Sequence, residues 1–250
     1  MLARLRHYRF DWKLSLLTVL LLPLLVSLGF WQLAREQEKL ALEELYEARR
    51  EQSPQALDTL DIQRDLQYTQ AWVEGEFDNE HLFLLDNRVH AGRAGYEVLV
   101  PLMTDSGWLV FVNRGWVGQG ASRADLPVPP ALPAQARVQG NLYQPLGEAF
   151  VLGGAELIGS GWPRVVQTLD MALMAAQLDG SWRLFPYSLR LAANEPGVLV
   201  RDWPTVNMSS TRHRGYAVQW FAMATALVLL YLYYSTRANA DLKDEPQAKP

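Results

Sequence analysis

Residues 14–34 read LSLLTVLLLPLLVSLGFWQLA, a run of 21 residues with no charged side chain. A second uncharged run occupies residues 215–236 and reads GYAVQWFAMATALVLLYLYYST. A helix needs about 20 apolar residues to cross the hydrocarbon core of a bilayer, so each run is long enough. The 250-residue chain contains 49% hydrophobic residues, an average that hides both runs. The sequence therefore predicts a membrane protein with one transmembrane helix near each terminus.

The distribution of charge predicts how this multi-pass chain is oriented. Residues 1–13 carry four basic side chains against the single acid Asp11, whereas residues 35–214 carry 16 basic and 23 acidic ones. A basic segment before a first span tends to stay in the cytoplasm. We therefore expect a cytoplasmic N-terminal stub at 1–13, a periplasmic domain at 35–214 and a cytoplasmic tail at 237–250.

The first span does not have the pattern of a cleaved signal peptide. Its apolar run exceeds the roughly 7–15 residues of a signal peptide, and no small-residue cleavage pattern follows it. We expect it to be retained as an anchor. The few residues before it leave little room for a Ser- and Arg-rich transit peptide, which favours a bacterial inner membrane over a mitochondrial precursor.

The sequence contains no cysteine. Disulfide bonds are therefore excluded, together with Cys-based zinc, copper and iron–sulfur sites and thiol chemistry. The GxSxG, P-loop and HExxH motifs are also missing from the sequence. We expect neither enzymatic activity nor a nucleic-acid partner, although an acidic pair among the outer carboxylates is left open.

The segment between the spans predicts a helix followed by strands. The first span is expected to continue as a helix until Ser53-Pro54, because strong helix formers follow it. From Tyr68 the sequence changes to short β-branched and aromatic runs separated by turn residues, which favours an antiparallel meander. The proline-rich DLPVPPALPA is expected to be an extended surface connection. The expected strands are YTQAWVEGEF, HLFLLDNRV, GYEVLVPLM, GWLVFVNRGWV, RVQGNLYQPL, PRVVQTL, WRLFPYSLRLA and GVLVRDW, with a short helix near Asp170–Leu178. The fold class predicted is thus two transmembrane α-helices flanking a mainly-β (α+β), barrel- or sandwich-like extracytoplasmic domain.

Four segments carry a family resemblance. They are LGFWQLAREQEK at 28–39, GYEVLVPL at 95–102, VNRGWV at 112–117 and HRGYAVQWF at 213–221. In this order, and at these places relative to the spans, they resemble the surfeit locus protein 1 family over nearly the whole chain. The resemblance implies a membrane-anchored, non-enzymatic assembly factor for haem–copper cytochrome c oxidase, acting around insertion of haem a into the catalytic subunit. It implies transient contact with haem a, and as partners the lipid bilayer, the catalytic subunit and, as a further candidate, the haem a biosynthesis enzyme.

The motif HRGYAVQWF lies where the second span enters the membrane. His213, Tyr216 and Trp220 share one helical face there. With the resemblance in view, His213 is a candidate ligand for haem iron, with the two aromatic rings beside the macrocycle. Arg212 and Arg214 could pair with the haem propionates. The alternative is an interfacial anchor, because aromatic rings and basic side chains are common at headgroup depth. No second axial ligand is evident.

Polar residues near the first span are candidates for contacts with a partner. Trp31 is an interfacial anchor candidate, while Gln32, Arg35 and Lys39 form a polar stripe on the emerging helix. This stripe faces either the second span or an oxidase subunit, or else it is simply solvated. Gln219 lies within the second span and is expected to face the first span or a client helix, since an amide in lipid usually finds a partner across a helix interface.

VNRGWV places Asn113, Arg114, Gly115 and Trp116 at the end of a strand. Gly115 permits a bulge or a close backbone approach. Arg114 could contact a propionate or a partner carboxylate, with Trp116 packed beside it. The interpretation we favour is structural, with Arg114 paired to an acidic neighbour inside the domain.

The main alternative function is a two-span membrane ligand-binding or sensory module without catalytic activity. Two spans around an outer domain is also a receptor layout, but the short segment after the second span is expected to be too small for an output domain. His81 and His90 do not match a local metal-ligand spacing, so we expect them to be ordinary surface residues.

Overall fold

The computed structural model describes residues 11–123, 125–145, 157–158, 161–203 and 210–237. It divides into two compact units, one made of residues 1–44 and 205–250, and a strand domain over Leu45–Pro204. The N-terminal stub and the C-terminal tail lie almost wholly outside the described residues. In chain order the elements are α1 (Trp12–Arg50), β1 (Gln55–Ala56), a 3₁₀ turn (Leu57–Thr59), β2 (Gln70–Phe77), β3 (Phe83–His90), β4 (Arg93–Thr104), β5 (Trp108–Gly118), β6 (Gln135–Tyr143), β7 (Leu157–Ile158), β8 (Arg164–Val166), α2 (Met171–Ala175), β9 (Arg183–Leu184), β10 (Ser188–Leu191) and α3 (Ser210–Arg237).

Two helices, α1 and α3, are long and apolar enough to cross a membrane. α1 continues past the apolar run to Arg50, just before Ser53-Pro54, as its helix-forming sequence predicted. The last turns of α1 belong to the strand domain. There Tyr46 of the helix packs edge-on against Tyr68, with the ring centroids 5.2 Å apart. Two candidate membrane helices thus flank a mainly-strand domain, and this part of the predicted fold class is confirmed.

Five strands of the domain pair in a closed circuit. β2 pairs with β6, β6 with β10, β10 with β5, β5 with β4, and β4 again with β2. Side chains alternate between the two faces of a strand, so every second residue points into the ring. These inner positions are apolar and buried, among them Val73, Val100, Val112, Val138 and Leu189. The hydrophobic core of the domain is therefore the interior of the ring.

A second core covers part of the outer face of the ring. Phe83, Leu99, Phe111 and Met174 are fully buried there, between the strands β3–β4–β5 and the short helix α2. The side chain of Asp170 caps α2 by accepting a hydrogen bond from the backbone N–H of Leu173 at 2.9 Å. The predicted helix near Asp170–Leu178 is thus confirmed, and the rest of the outer face remains open to polar residues.

Two expectations about the strands are wrong. Only β3, β4 and β5 form a meander, because β2 pairs with β4 and not with β3, and because β10 joins β5 in parallel. The segment GVLVRDW at 197–203 forms a single bridge, Val200 to Trp116, and no strand. The pairing of β10 with β5 ends at Asn113, so this segment reaches β5 only beyond that point.

Candidate functional site

The helices α1 and α3 meet along faces of small and polar residues. The ring of Phe221 occupies the space beside Gly29, where an added Cβ atom would lie 2.6 Å from it, and it packs edge-on at 5.3 Å from Phe30. The hydroxyls of Ser15 and Tyr231 lie 2.9 Å apart. Small residues let helices approach closely within a membrane. The buried positions of the two faces are Thr18, Gly29 and Gln32 on α1, and Ala217, Ala224 and Ser235 on α3.

One polar contact joins the two sequence motifs of the spans. Nδ1 of His213 lies 2.8 Å from Oε1 of Gln32, although the two residues are 181 positions apart. Gln32 is only 9% exposed, and His213 is half-buried. LGFWQLAREQEK and HRGYAVQWF therefore form one site, to which each motif contributes one partner.

The hydrogen bond decides which nitrogen of His213 can act as a ligand. An amide oxygen only accepts hydrogen bonds, so Nδ1 of His213 carries the proton and donates it to Gln32. In the neutral imidazole the other nitrogen, Nε2, then keeps its lone pair. A ligating histidine usually donates its second ring N–H to an acceptor that fixes the orientation of the ring. His213 has this arrangement.

The side chains flanking His213 remain accessible. Arg212, Arg214 and Tyr216 are exposed, and Trp220 is half-buried. Among the described residues, neither arginine makes an ion pair. The sequence predicted that His213, Tyr216 and Trp220 share one face of α3. In the structure His213 points toward α1, whereas Tyr216 points outward. The structure brings an imidazole, two aromatic rings and two exposed guanidinium groups to the first turns of α3.

The residues of the polar stripe predicted on α1 also point in different directions. Gln32 faces α3, whereas Arg35 is exposed and bonds to Glu38 at 2.7 Å. Trp31 is half-exposed, with the guanidinium of Arg35 5.9 Å from its ring centroid. Lys39 is partly exposed. Of the stripe, Gln32 is the residue with a described hydrogen bond to the second span.

Gln219 does not face the first span, so that part of the expectation is wrong. Its side chain is exposed, and at 3.6 residues per turn it lies on the side of α3 opposite Ala217 and Ala224. The burial of Ala217 and Ala224 decides this orientation, because it marks the face on which α1 packs. The amide that is buried between the helices is Gln32. Contact of Gln219 with a client helix stays a prediction.

In VNRGWV, the backbone geometry at Gly115 agrees with its sequence. Gly115 has a φ of 111° and lies at a register shift between β4 and β5. A Cβ atom there would lie 2.5 Å from the carbonyl oxygen of Val200. Asn113 holds the turn by accepting from the N–H of Gly115 at 2.9 Å. The predicted bulge and close backbone approach are both confirmed.

Arg114 has a structural role, but not through the acidic partner that we expected. It is 1% exposed and donates to the carbonyl oxygens of Gly197 at 2.8 Å and of Pro130 at 2.9 Å. Among the described residues it makes no ion pair. Burial lowers the pKa of its guanidinium. Because its side chain is buried, the guanidinium group of Arg114 is not accessible to a propionate or to a carboxylate of a partner. Trp116 is also nearly buried, and its indole N–H donates to the carbonyl oxygen of Arg88 at 3.2 Å.

A row of polar residues crosses the outer face of the ring, and sequence reasoning missed it. Asn141 on β6 lies opposite Arg190 on β10, which in turn lies beside Asn113 on β5. Asn113 donates to Glu97 on β4 at 2.5 Å. Burial lowers the pKa of Arg190, and the neighbouring Tyr143 and Glu97 partly offset this effect. For Arg190, the signal in the sequence was a charged residue between the two leucines of SLRL.

A model of the SURF1 family matches residues 19–225 of the chain. The chain belongs to the SURF1 family. A SURF1-like protein of Rickettsia felis is 24% identical over 233 residues, which cover 89% of this chain and 96% of the relative. That of Rickettsia conorii is 22% identical over 238 residues, covering 91% and 93%. That of Rickettsia bellii is 32% identical over 107 residues, covering 42% and 43%.

The match to the SURF1 family confirms the resemblance that the four motifs carried. Its range contains Gln32, His213 and the VNRGWV segment, so it includes most of α1, the first half of α3 and the strand domain. The two long alignments with Rickettsia proteins extend over nearly the full length of those relatives. The similarity to the SURF1 family therefore extends over the strand domain and the helices on either side of it in the sequence, and not over the strand domain alone.

Proposed function

We propose that this protein is an assembly factor for haem–copper cytochrome c oxidase, and that it binds haem a around its insertion into the catalytic subunit. Membership of the SURF1 family supports the assembly role. The observation that carries the haem part is the hydrogen bond from His213 to Gln32, because it leaves Nε2 available as a ligand.

The residues of the helix pair fit haem a by donor type. When bound, haem a would supply an iron that takes an imidazole nitrogen as a ligand, and propionates that carry negative charge. His213 offers Nε2 for the iron. Arg212 and Arg214 offer exposed guanidinium groups, whose fork of donors matches a carboxylate. Tyr216 and Trp220 offer aromatic faces next to the imidazole.

Gln32 makes His213 a positioned but weak ligand. Outer partners of a ligating histidine fix its ring and raise its basicity. A neutral amide does this less than a carboxylate would, because it carries no charge to stabilise the imidazole proton. The other described histidines, His81 and His90, are engaged by Asp78 at 2.5 Å and Asp202 at 2.7 Å. A single histidine ligand held by a neutral amide suits a protein that passes haem on.

We place the protein in a bacterial inner membrane, with the strand domain in the periplasm and both termini in the cytoplasm. The basic residues of 1–13 support this orientation. The partners we propose are the catalytic oxidase subunit and the enzyme that makes haem a. The outward face of α3, which carries the exposed Gln219, is the surface we assign to a client helix. We propose no enzymatic activity.

The experiment is an absorbance spectrum of the full chain, purified in detergent after expression with haem a biosynthesis. The wild-type protein should show a Soret band, and His213→Ala should abolish it. His90→Ala is the matched control, because it removes a histidine of the strand domain and should keep the band. A Soret band of unchanged height in His213→Ala would show that the ligand assignment is wrong.

A further inference from the structure

Arg190 is a buried cation that forms no ion pair with any described residue. Its side chain is 8% exposed, and it lies on the outer face of the ring, opposite Asn141. Its Nε atom is enclosed and has no hydrogen-bond partner. No described residue accepts a hydrogen bond from its guanidinium group or forms an ion pair with it. An arginine remains charged at physiological pH, so the charge itself is enclosed.

Two further enclosed polar atoms without hydrogen-bond partners lie close to this guanidinium group. The group stacks 3.3 Å above the ring centroid of Tyr143 and lies 5.4 Å from that of Trp203. The indole Nε1 of Trp203 is one of these atoms, and Oδ1 of Asn141 is the other. Unsatisfied buried polar atoms are rare in folded proteins, because each loses its hydrogen bonds to water without a replacement. Their clustering is typical of a site that binds a polar ligand.

The nearby described carboxylates make no hydrogen bond or ion pair with Arg190, and each is already bonded to another residue. Glu97 accepts from Asn113 at 2.5 Å and forms an ion pair with Arg88 at 3.2 Å. Asp202, next to Trp203 in the chain, bonds to His90 at 2.7 Å. A buried charge without a partner is strongly unfavourable. An anion from outside the protein would remove this cost.

We propose that Arg190, Trp203 and Asn141 form a binding site for a phosphate group with a hydroxyl nearby. The hydroxyl belongs either to the phosphate itself or to the alcohol that it esterifies. The guanidinium of Arg190 and the indole N–H of Trp203 donate to the phosphate oxygens. Oδ1 of Asn141 accepts a hydrogen bond from the hydroxyl. The source is either soluble hydrogen phosphate or a hydroxylated lipid headgroup such as phosphatidylglycerol.

The stacking of Arg190 supports this assignment. Contact with an aromatic face restrains the plane of the guanidinium group and leaves its N–H edge free for two parallel hydrogen bonds. Arg201 adds a second, exposed cation, 5.4 Å from the ring centroid of Trp203. The segment 35–214 carries more acidic than basic residues, so it has no general attraction for anions. Recognition must therefore come from this local arrangement.

The test is calorimetric titration of the full chain in an uncharged detergent. The probes are sodium phosphate at constant ionic strength, and dihexanoyl phosphatidylglycerol with dihexanoyl phosphatidylcholine as its neutral-headgroup counterpart. We expect one saturable site for phosphate or phosphatidylglycerol, and none for phosphatidylcholine. Binding of both anionic probes identifies the phosphate group itself as the ligand, and binding of phosphatidylglycerol alone identifies the headgroup.

Two variants and one matched control decide the assignment. Trp203→Phe keeps an aromatic ring but removes the N–H donor, and Arg190→Lys keeps the charge but removes the planar fork. Each should weaken binding about tenfold, the effect of losing a hydrogen bond to a charged group. Arg183→Lys is the control, because Arg183 stacks at 3.9 Å on Trp108 but is exposed, and its affinity should not change. Absence of saturable binding by the wild type, or unchanged affinity in a folded Trp203→Phe protein, would overturn the proposal.

Discussion

At the level of single side chains, the amide oxygen of Gln32 determines which nitrogen of His213 carries its proton. The two residues are 2.8 Å apart at the face between the helices. If the amide were absent, the ring could rotate and either nitrogen could be protonated. Gln32 is therefore a positioning residue, since it acts on the ligand through His213 and has no contact of its own with iron in our proposal.

Gln32→Leu should weaken binding of haem a about tenfold, because outer partners of a metal-ligating histidine typically contribute 10- to 100-fold in affinity. The measurement is a titration of the purified protein with haem a, followed by the Soret absorbance. Gln37→Leu is the control, since Gln37 is exposed on the same helix and should not change the affinity. Equal affinities of Gln32→Leu and wild type would show that the hydrogen bond has no positioning role.

Arg114→Met should lower the free energy of unfolding by about 3 kcal/mol, because two buried carbonyl oxygens lose a charged donor. The measurement is urea unfolding of the full chain in detergent, followed by the circular dichroism of the strands. Arg93→Met, at an exposed position of β4, should cause no measurable change. An Arg114→Met protein as stable as the wild type would refute the structural role.

At the level of elements, the pairing of α1 with α3 brings the two motifs of the site together. Gly29 and Phe221 fit one another, and Ser15 reaches Tyr231 on a separate turn. Lipid tails are as apolar as the side chains they surround, so such shape fit and polar contacts drive helix association in membranes. Disturbing Gly29 should therefore separate Gln32 from His213 without changing either residue.

Gly29→Leu should reduce the contact between the helices, and Phe221→Ala in the same chain should partly restore it by making room. Because the chain lacks cysteine, Ser15→Cys with Tyr231→Cys provides a unique pair for a short bis-maleimide cross-linker. The yield of cross-linked protein is the readout. The control pair is Leu16→Cys with Leu230→Cys, both exposed, which should not react. A yield that is insensitive to Gly29→Leu would contradict the packing.

At the level of the whole protein, the sequence predicted the helices and most strands because both depend on local patterns. The uncharged runs and the alternation in β4 and β5 are such patterns. The closure of the ring, and the parallel contact of Leu189 with Val112, depend on segments far apart in the chain, where spacing carries no information. The same limit applies to the site. The sequence singled out Gln32 and His213 separately, but not their contact, and it gave no sign that Asn141 and Arg190 lie side by side.

The orientation of the chain remains a prediction that labelling can test. Val128→Cys, in the exposed proline-rich connection, should react with a membrane-impermeant maleimide in intact spheroplasts, because the strand domain is expected in the periplasm. Gln247→Cys, in the predicted cytoplasmic tail, should react only after permeabilisation. The reverse pattern of labelling would place the strand domain in the cytoplasm and contradict the proposed function.

The most direct test of the central claim is the haem a content of the oxidase in a strain that lacks the gene. The measurement is the reduced-minus-oxidised absorbance spectrum of its membranes. Our account predicts a loss of the haem a band that the wild-type gene restores and the His213→Ala gene restores poorly. A full haem a band in the strain without the gene would contradict the account.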